Sequence, residues 1–120
     1  MIQILPIHPQ LLPELCREKG LDDDAPVWGY IASQGSSLLG WCVVAKDDPC
    51  RILGLEAEDK EVADGLLRAA LHPFYEEGVR CYQFKALPPM ALPSRYIIAG
   101  VGSLGDLFAP CAGETGEETP

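Results

Sequence analysis

The sequence predicts a single α/β domain built on a mixed β-sheet, and two observations carry that prediction. Three strand-like segments, VWGYIA (27–32), LLGWCVVA (38–45) and CRILGLEA (50–57), are joined by connections short enough only for antiparallel neighbours, which makes a meander. A helical pattern then opens near Glu61 and is followed by VRCYQFKA (79–86), which alternates as a strand does. A strand, helix, strand passage of this length implies a right-handed crossover to a parallel neighbour. At 120 residues the chain has room for one hydrophobic core and not two. Residues 1–111 are therefore read as one domain, and the acidic, apolar-poor AGETGEETP (112–120) as a disordered tail.

The elements follow in order. Residues 2–5 (IQIL) predict a short strand. After Pro6, Leu11, Leu12 and Leu15 recur at helical spacing until Gly20 stops the run, with Pro13 compatible only with a first turn. DDD at 22–24 reads as a solvated loop, SQGSS (33–37) as the glycine-containing turn of a hairpin, and DDP (47–49) as the next turn. On a helical wheel from Glu61, Ala63, Leu66, Leu67, Ala70 and Phe74 share one face, while Glu61, Asp64, Arg68, His72 and Tyr75 share the other. Such a helix covers a sheet. Pro73 lies inside the pattern and cannot donate to residue 69, so a kink or a shortened helix is expected, and Gly78 ends it in any case. LPPMALPS is proline-rich, and only MALPSRYIIAG (90–100) has room for a helical turn or two.

Composition narrows the function classes. Apolar residues make up 48% and charged residues 22%, values of an ordinary globular chain. The formal charge of −9 opposes binding to nucleic acid or to an anionic membrane and makes a cationic partner the expected one. No apolar run approaches the roughly 20 residues that span a bilayer, and the opening residues lack the basic and apolar regions of a signal peptide, so the cytoplasm is the default location. Five cysteines (Cys16, Cys42, Cys50, Cys81, Cys111) form an odd set with no C-x-x-C pair and only two histidines. They predict reduced thiols acting as small apolar side chains, and no metal site. His8, near a helix start, and His72, on a polar helix face, are assigned no chemistry.

The stretch EAEDKEVADGLLRAAL (56–71) is a loop entering a helix, the place where an anion is favoured by free amides and the helix dipole. Yet Glu56, Glu58, Asp59, Glu61 and Asp64 surround a single Lys60 there. One reading is that the acidic residues simply cap and favour the helix N-terminus.

Several features together resemble the GNAT family of N-acetyltransferases: a strand–helix start, an antiparallel meander, a helix opening at the end of its last strand, and a following parallel strand. SQGSSLLGWCVVA resembles the family's second and third strands, with Leu38, Leu39 and Gly40 after a polar turn. GLLRAALHPFYEEGV resembles the pyrophosphate-side helix, with Gly65 and Gly78 in place. YIIAGV (96–101) resembles a Tyr-x-x-x-Gly-Phe element in which Val101 replaces Phe. The likeness covers about residues 27–101.

The resemblance implies acetyl-CoA as cofactor, held by an Arg/Gln-x-x-Gly-x-Gly/Ala loop onto which Lys60, Ala63 and Gly65 fall. Ala63 replaces a glycine, and Glu61 and Asp64 add negative charge. It also implies Glu56 as the base for an attacking amine and Tyr96 as the acid toward the leaving thiolate, although Glu56 reads equally as a solvated turn residue and Tyr96 as a half-buried core tyrosine. Two functions follow. One is acetyl-CoA-dependent N-acetyl transfer to a cationic amine through a weakened cofactor loop. The other is a non-catalytic GNAT-like module, without cofactor, that acts by self-association as a homodimer or by binding a protein partner.

Overall fold

The computed structural model describes residues 1–21 and 25–109. The expected DDD loop, Cys111 and the acidic tail lie outside these residues. Strands β1 (Gln3–Pro6), β2 (Val27–Gln34), β3 (Ser37–Ala45), β4 (Cys50–Ala57), β5 (Cys81–Phe84) and β6 (Val101–Ser103) form one sheet in chain order. Every pairing is antiparallel except that of β4 with β5, across which α2 (Lys60–Glu76) makes the crossover. Helix α1 (Leu12–Lys19) links β1 to β2, and the short α3 (Leu104–Phe108) follows β6.

Each face of the sheet has its own core. Cys42, Val44, Ile52 and Leu55 pack against Val62, Ala63, Leu66, Leu67, Ala70, Leu71 and Phe74 of α2. Trp41, Val43, Ala45 and Leu53 pack on the opposite face with Leu12, Leu15 and Cys16 of α1. Every residue on the expected inner stripe of α2 is buried, and Val62 and Leu71 widen it. Burying one such leucine favours folding by roughly 1.5–3 kcal/mol.

The structure departs from expectation in three places. Helix α2 is not shortened at Pro73: it continues to Glu76, and the chain turns out at Gly78, which takes φ 96°. Proline costs the helix one donor three residues from its end, where Leu71 and Phe74 still hold the helix in the core. Strand β5 is four residues long, shorter than the alternating run that predicts it. Residues 90–100 hold no helix, and regular structure returns instead as β6 and α3 over 101–108. Pro93 and the burial of Met90, Leu92 and Tyr96 against the α2-side core favour an irregular strap there.

Candidate functional site

The site is organised by a bulge in β4. Val43 pairs with Gly54 and Val44 with Ile52, so Leu53 is the extra residue. Leu53 and Gly54 consequently face the same side: Leu53 joins the α1-side core, and a Cβ on Gly54 would come within 2.8 Å of the Trp41 ring. Beyond the bulge the strand is one residue out of step. Leu55 turns to the α2 face, and Glu56, opposite Trp41, turns to the α1 face. Strict alternation from Cys50 would have placed Glu56 beside α2.

The same bulge marks where β4 leaves β5. The two strands pair at Cys50, Arg51 and Ile52, and the Lys85 amide still donates to the Ile52 carbonyl at 2.9 Å. Past that point β4 is paired with β3. The end of β4 and the start of α2 thus lie beyond the last pair that β4 makes with β5.

At the start of α2 two of the three expected cofactor residues, Ala63 and Gly65, serve the fold. Asp59 is the N-cap: its carboxylate accepts from the Val62 amide at 2.9 Å, and its carbonyl accepts from the Ala63 amide at 3.1 Å. Ala63 is fully buried in the α2-side core. Gly65 faces β1, where a Cβ would come within 2.7 Å of the Ile4 methyl, so its lack of a side chain leaves room for the tip of Ile4. Lys60, the first residue of the helix, is exposed.

Asp64 does not stand as a bare negative charge beside this helix end. Its carboxylate accepts from Arg95, from the Tyr96 hydroxyl at 2.6 Å and from Arg68 Nε at 3.1 Å. Partial burial raises its pKa, but the hydrogen bonds from Tyr96 and Arg95 and the nearby positive charge of Arg68 outweigh burial and hold it below the ordinary value. For Tyr96, burial and the hydrogen bond to Asp64 both raise the pKa. Tyr96 is 5% exposed. Its proton is committed to Asp64, and the next amide, Ile97 N–H, donates to the Tyr82 hydroxyl at 2.9 Å. The proline-rich strap is thereby tied to both α2 and β5. Replacing Asp64 with a cation to attract a phosphate would set like charges beside Arg68 and Arg95.

Glu56 lies elsewhere. Its half-exposed carboxylate pairs with Lys19 at 3.7 Å, and the Lys19 ammonium sits 5.7 Å from the centroid of the Trp41 ring. These groups, with Glu18, Leu15 and Leu38, line an open cleft of about 430 Å³ between α1 and the ends of β3 and β4. Glu56 and Tyr96 therefore point into opposite layers of the molecule, and each has a different partner. Sequence pattern alone identifies neither Trp41 nor Lys19 as part of this cleft, because the bulge that brings Glu56 to them carries no signature beyond a glycine at position 54.

Cys42, Cys50 and Cys81 are free thiols, and burial pushes those of Cys42 and Cys50 up to about 12. Among the described residues no group of three or more His, Cys, Asp or Glu is placed to hold a metal ion, and no helix is long and apolar enough to cross a membrane. The fold and site define an α/β domain with a mixed sheet and an open, carboxylate-bearing cleft on its α1 face. Comparison with protein-family models, with curated proteins and with solved structures finds no match to this chain.

Proposed function

We propose that this chain is a non-catalytic GNAT-like module that works by binding a cationic partner. One observation carries the reading: of the residues that would run acetyl transfer, Ala63, Gly65 and Tyr96 are engaged in the fold, and only Lys60 and Glu56 stay exposed. Asp59 caps α2, Ala63 and Gly65 pack against the core and β1, and Tyr96 donates to Asp64. A tyrosine that must release a proton to a thiolate would first have to leave an ionised acceptor at 2.6 Å. The charge of −9 suits a cationic partner and disfavours close association of identical copies.

A second reading, acetyl-CoA-dependent transfer to an amine, is favoured by the bulge at Leu53 and by the end of the β4–β5 pairing at Ile52, ahead of the start of α2. Calorimetric titration with acetyl-CoA separates the two. The binding-module reading expects no saturable heat up to millimolar ligand. A dissociation constant in the micromolar range, weakened by Lys60→Ala, would replace it with the transferase.

A further inference from the structure

The cleft on the α1 face already holds a cation, and the cation is the protein's own. Lys19 is the last residue of α1, followed by Gly20 in the left-handed conformation. Its ammonium lies over Trp41 and against Glu56, at 5.7 and 3.7 Å. Both are attractive placements for a positive charge: the ring face carries negative potential, and the carboxylate adds a full charge. Neither holds Lys19 tightly. The side chain is 36% exposed, the ion pair is longer than a direct hydrogen bond, and an exposed pair of this kind is readily exchanged with water.

The remaining lining fits a stem behind such a charge. Leu38 is 63% exposed at one wall, Leu15 stands at another, and Glu18 supplies a second carboxylate. Trp41 itself is only 7% exposed and Lys19 stands over its ring, so a ligand reaches the ring face by displacing Lys19. A single aromatic face beside carboxylates suits a group that offers N–H donors, which a primary ammonium does and a quaternary one does not.

We infer that this cleft binds a primary ammonium on an apolar stem, which exchanges with the Lys19 ammonium over Trp41 and against Glu56. The inference rests on the cationic-partner reading and gives that partner its chemistry. Lys19 acts as an internal competitor, so the apparent affinity is the intrinsic one reduced by the fraction of time the seat is vacant.

The test is an NMR titration of ¹⁵N-labelled protein, following the Trp41 indole signal, assigned with the Trp28→Phe variant. The probes are n-pentylammonium, Nα-acetyl-lysine N-methylamide, and the same lysine derivative acetylated at Nε. Both ammonium probes should move the Trp41 indole saturably, and the neutral derivative should not. Tighter binding of the lysine derivative assigns the ammonium to a protein side chain; tighter binding of the alkylammonium assigns it to a small amine. Lys19→Met keeps the apolar stem and removes the competitor, and should tighten both about fivefold or more, the gain expected if Lys19 fills the seat four-fifths of the time. In the Lys19→Met background, where no competitor is loosened at the same time, Glu56→Gln should weaken both by at least a similar factor.

Three results would overturn the inference: no saturable shift at Trp41 in either the parent or Lys19→Met, equal binding of the acetylated derivative, or, in the Lys19→Met background, an affinity unchanged by Glu56→Gln. Its failure is separable from that of the preceding reading. Acetyl-CoA binding would refute the non-catalytic module whatever the amines do, and an empty cleft would leave the calorimetric result on acetyl-CoA untouched.

Discussion

Asp64 and Glu56 are both carboxylates near the junction of β4 and α2, yet they live in different regimes. Asp64 accepts from two arginines and a buried tyrosine, whereas Glu56 meets one lysine at 3.7 Å across an open cleft. The first carboxylate is part of the fold, holding the strap over residues 90–100 to α2. The second is available. A candidate catalytic or binding residue is thus judged by what its polar atoms already do, and on that measure Asp64 is committed and Glu56 is open.

The largest expected effect tests the α2 side as a structural layer. Leu66→Ala removes a fully buried side chain between helix and sheet and should cost about 2–5 kcal/mol in urea unfolding, with the midpoint falling at unchanged slope. A cost below about 1 kcal/mol would mean that α2 is not the cover the sheet depends on.

Next is the strap. Tyr96→Phe keeps the ring and removes the donor to Asp64, and should cost about 1–2 kcal/mol, since the bond reaches an ionised acceptor. Asp64 also gives this region a pH signature. Its folded pKa is depressed, so its contribution is present above the ordinary carboxylate value of about 3.9 and is lost as pH falls through the folded value. Asp64→Asn should flatten that part of the acid-unfolding curve. A parent and variant with the same slope below about pH 4 would show that the network does not hold in solution.

Gly65 offers a smaller and sharper test. An alanine gains about 1 kcal/mol in an exposed helix interior, but here its methyl meets Ile4. In an Ile4→Val background, which deletes the methyl in the way, Gly65→Ala should stabilise by more than it does in the parent. The difference is a coupling read from a four-variant cycle. Additive effects would free Gly65 from packing and return it to candidacy at a cofactor. The smallest effect belongs to the open side: Glu56→Gln should change stability by less than about 0.5 kcal/mol, because an exposed ion pair adds little.

The sequence carries much of the fold because it depends on local signals. The meander follows from short connections, and the inner stripe of α2 from residues spaced three and four apart, with Ala63, Leu66, Leu67, Ala70 and Phe74 all buried. The site was less legible because it depends on non-local geometry. The face of Glu56 is set by a bulge at Leu53, and two of the three partners of Asp64, Arg95 and Tyr96, come from residues 31 and 32 positions away. Period-two counting cannot see the first, and spacing cannot see the second. Asp64 reads as repulsion toward a phosphate for the same reason: beside Arg68 of its own helix, it is neutralised by Arg95 from a segment whose sequence suggests only a proline-rich link.

The central claim is that the start of α2 is occupied by the protein's own groups and does not receive a pyrophosphate. Amide-resolved NMR titration with acetyl-CoA tests it most directly, because the amides of residues 60–65 would be the ones to bind that anion. The account predicts that these signals stay in place up to millimolar acetyl-CoA while Val62, donating to Asp59, keeps its protection from hydrogen exchange. Saturable shifts across residues 60–65 at micromolar acetyl-CoA, together with altered signals at Asp64 and Tyr96, would contradict it.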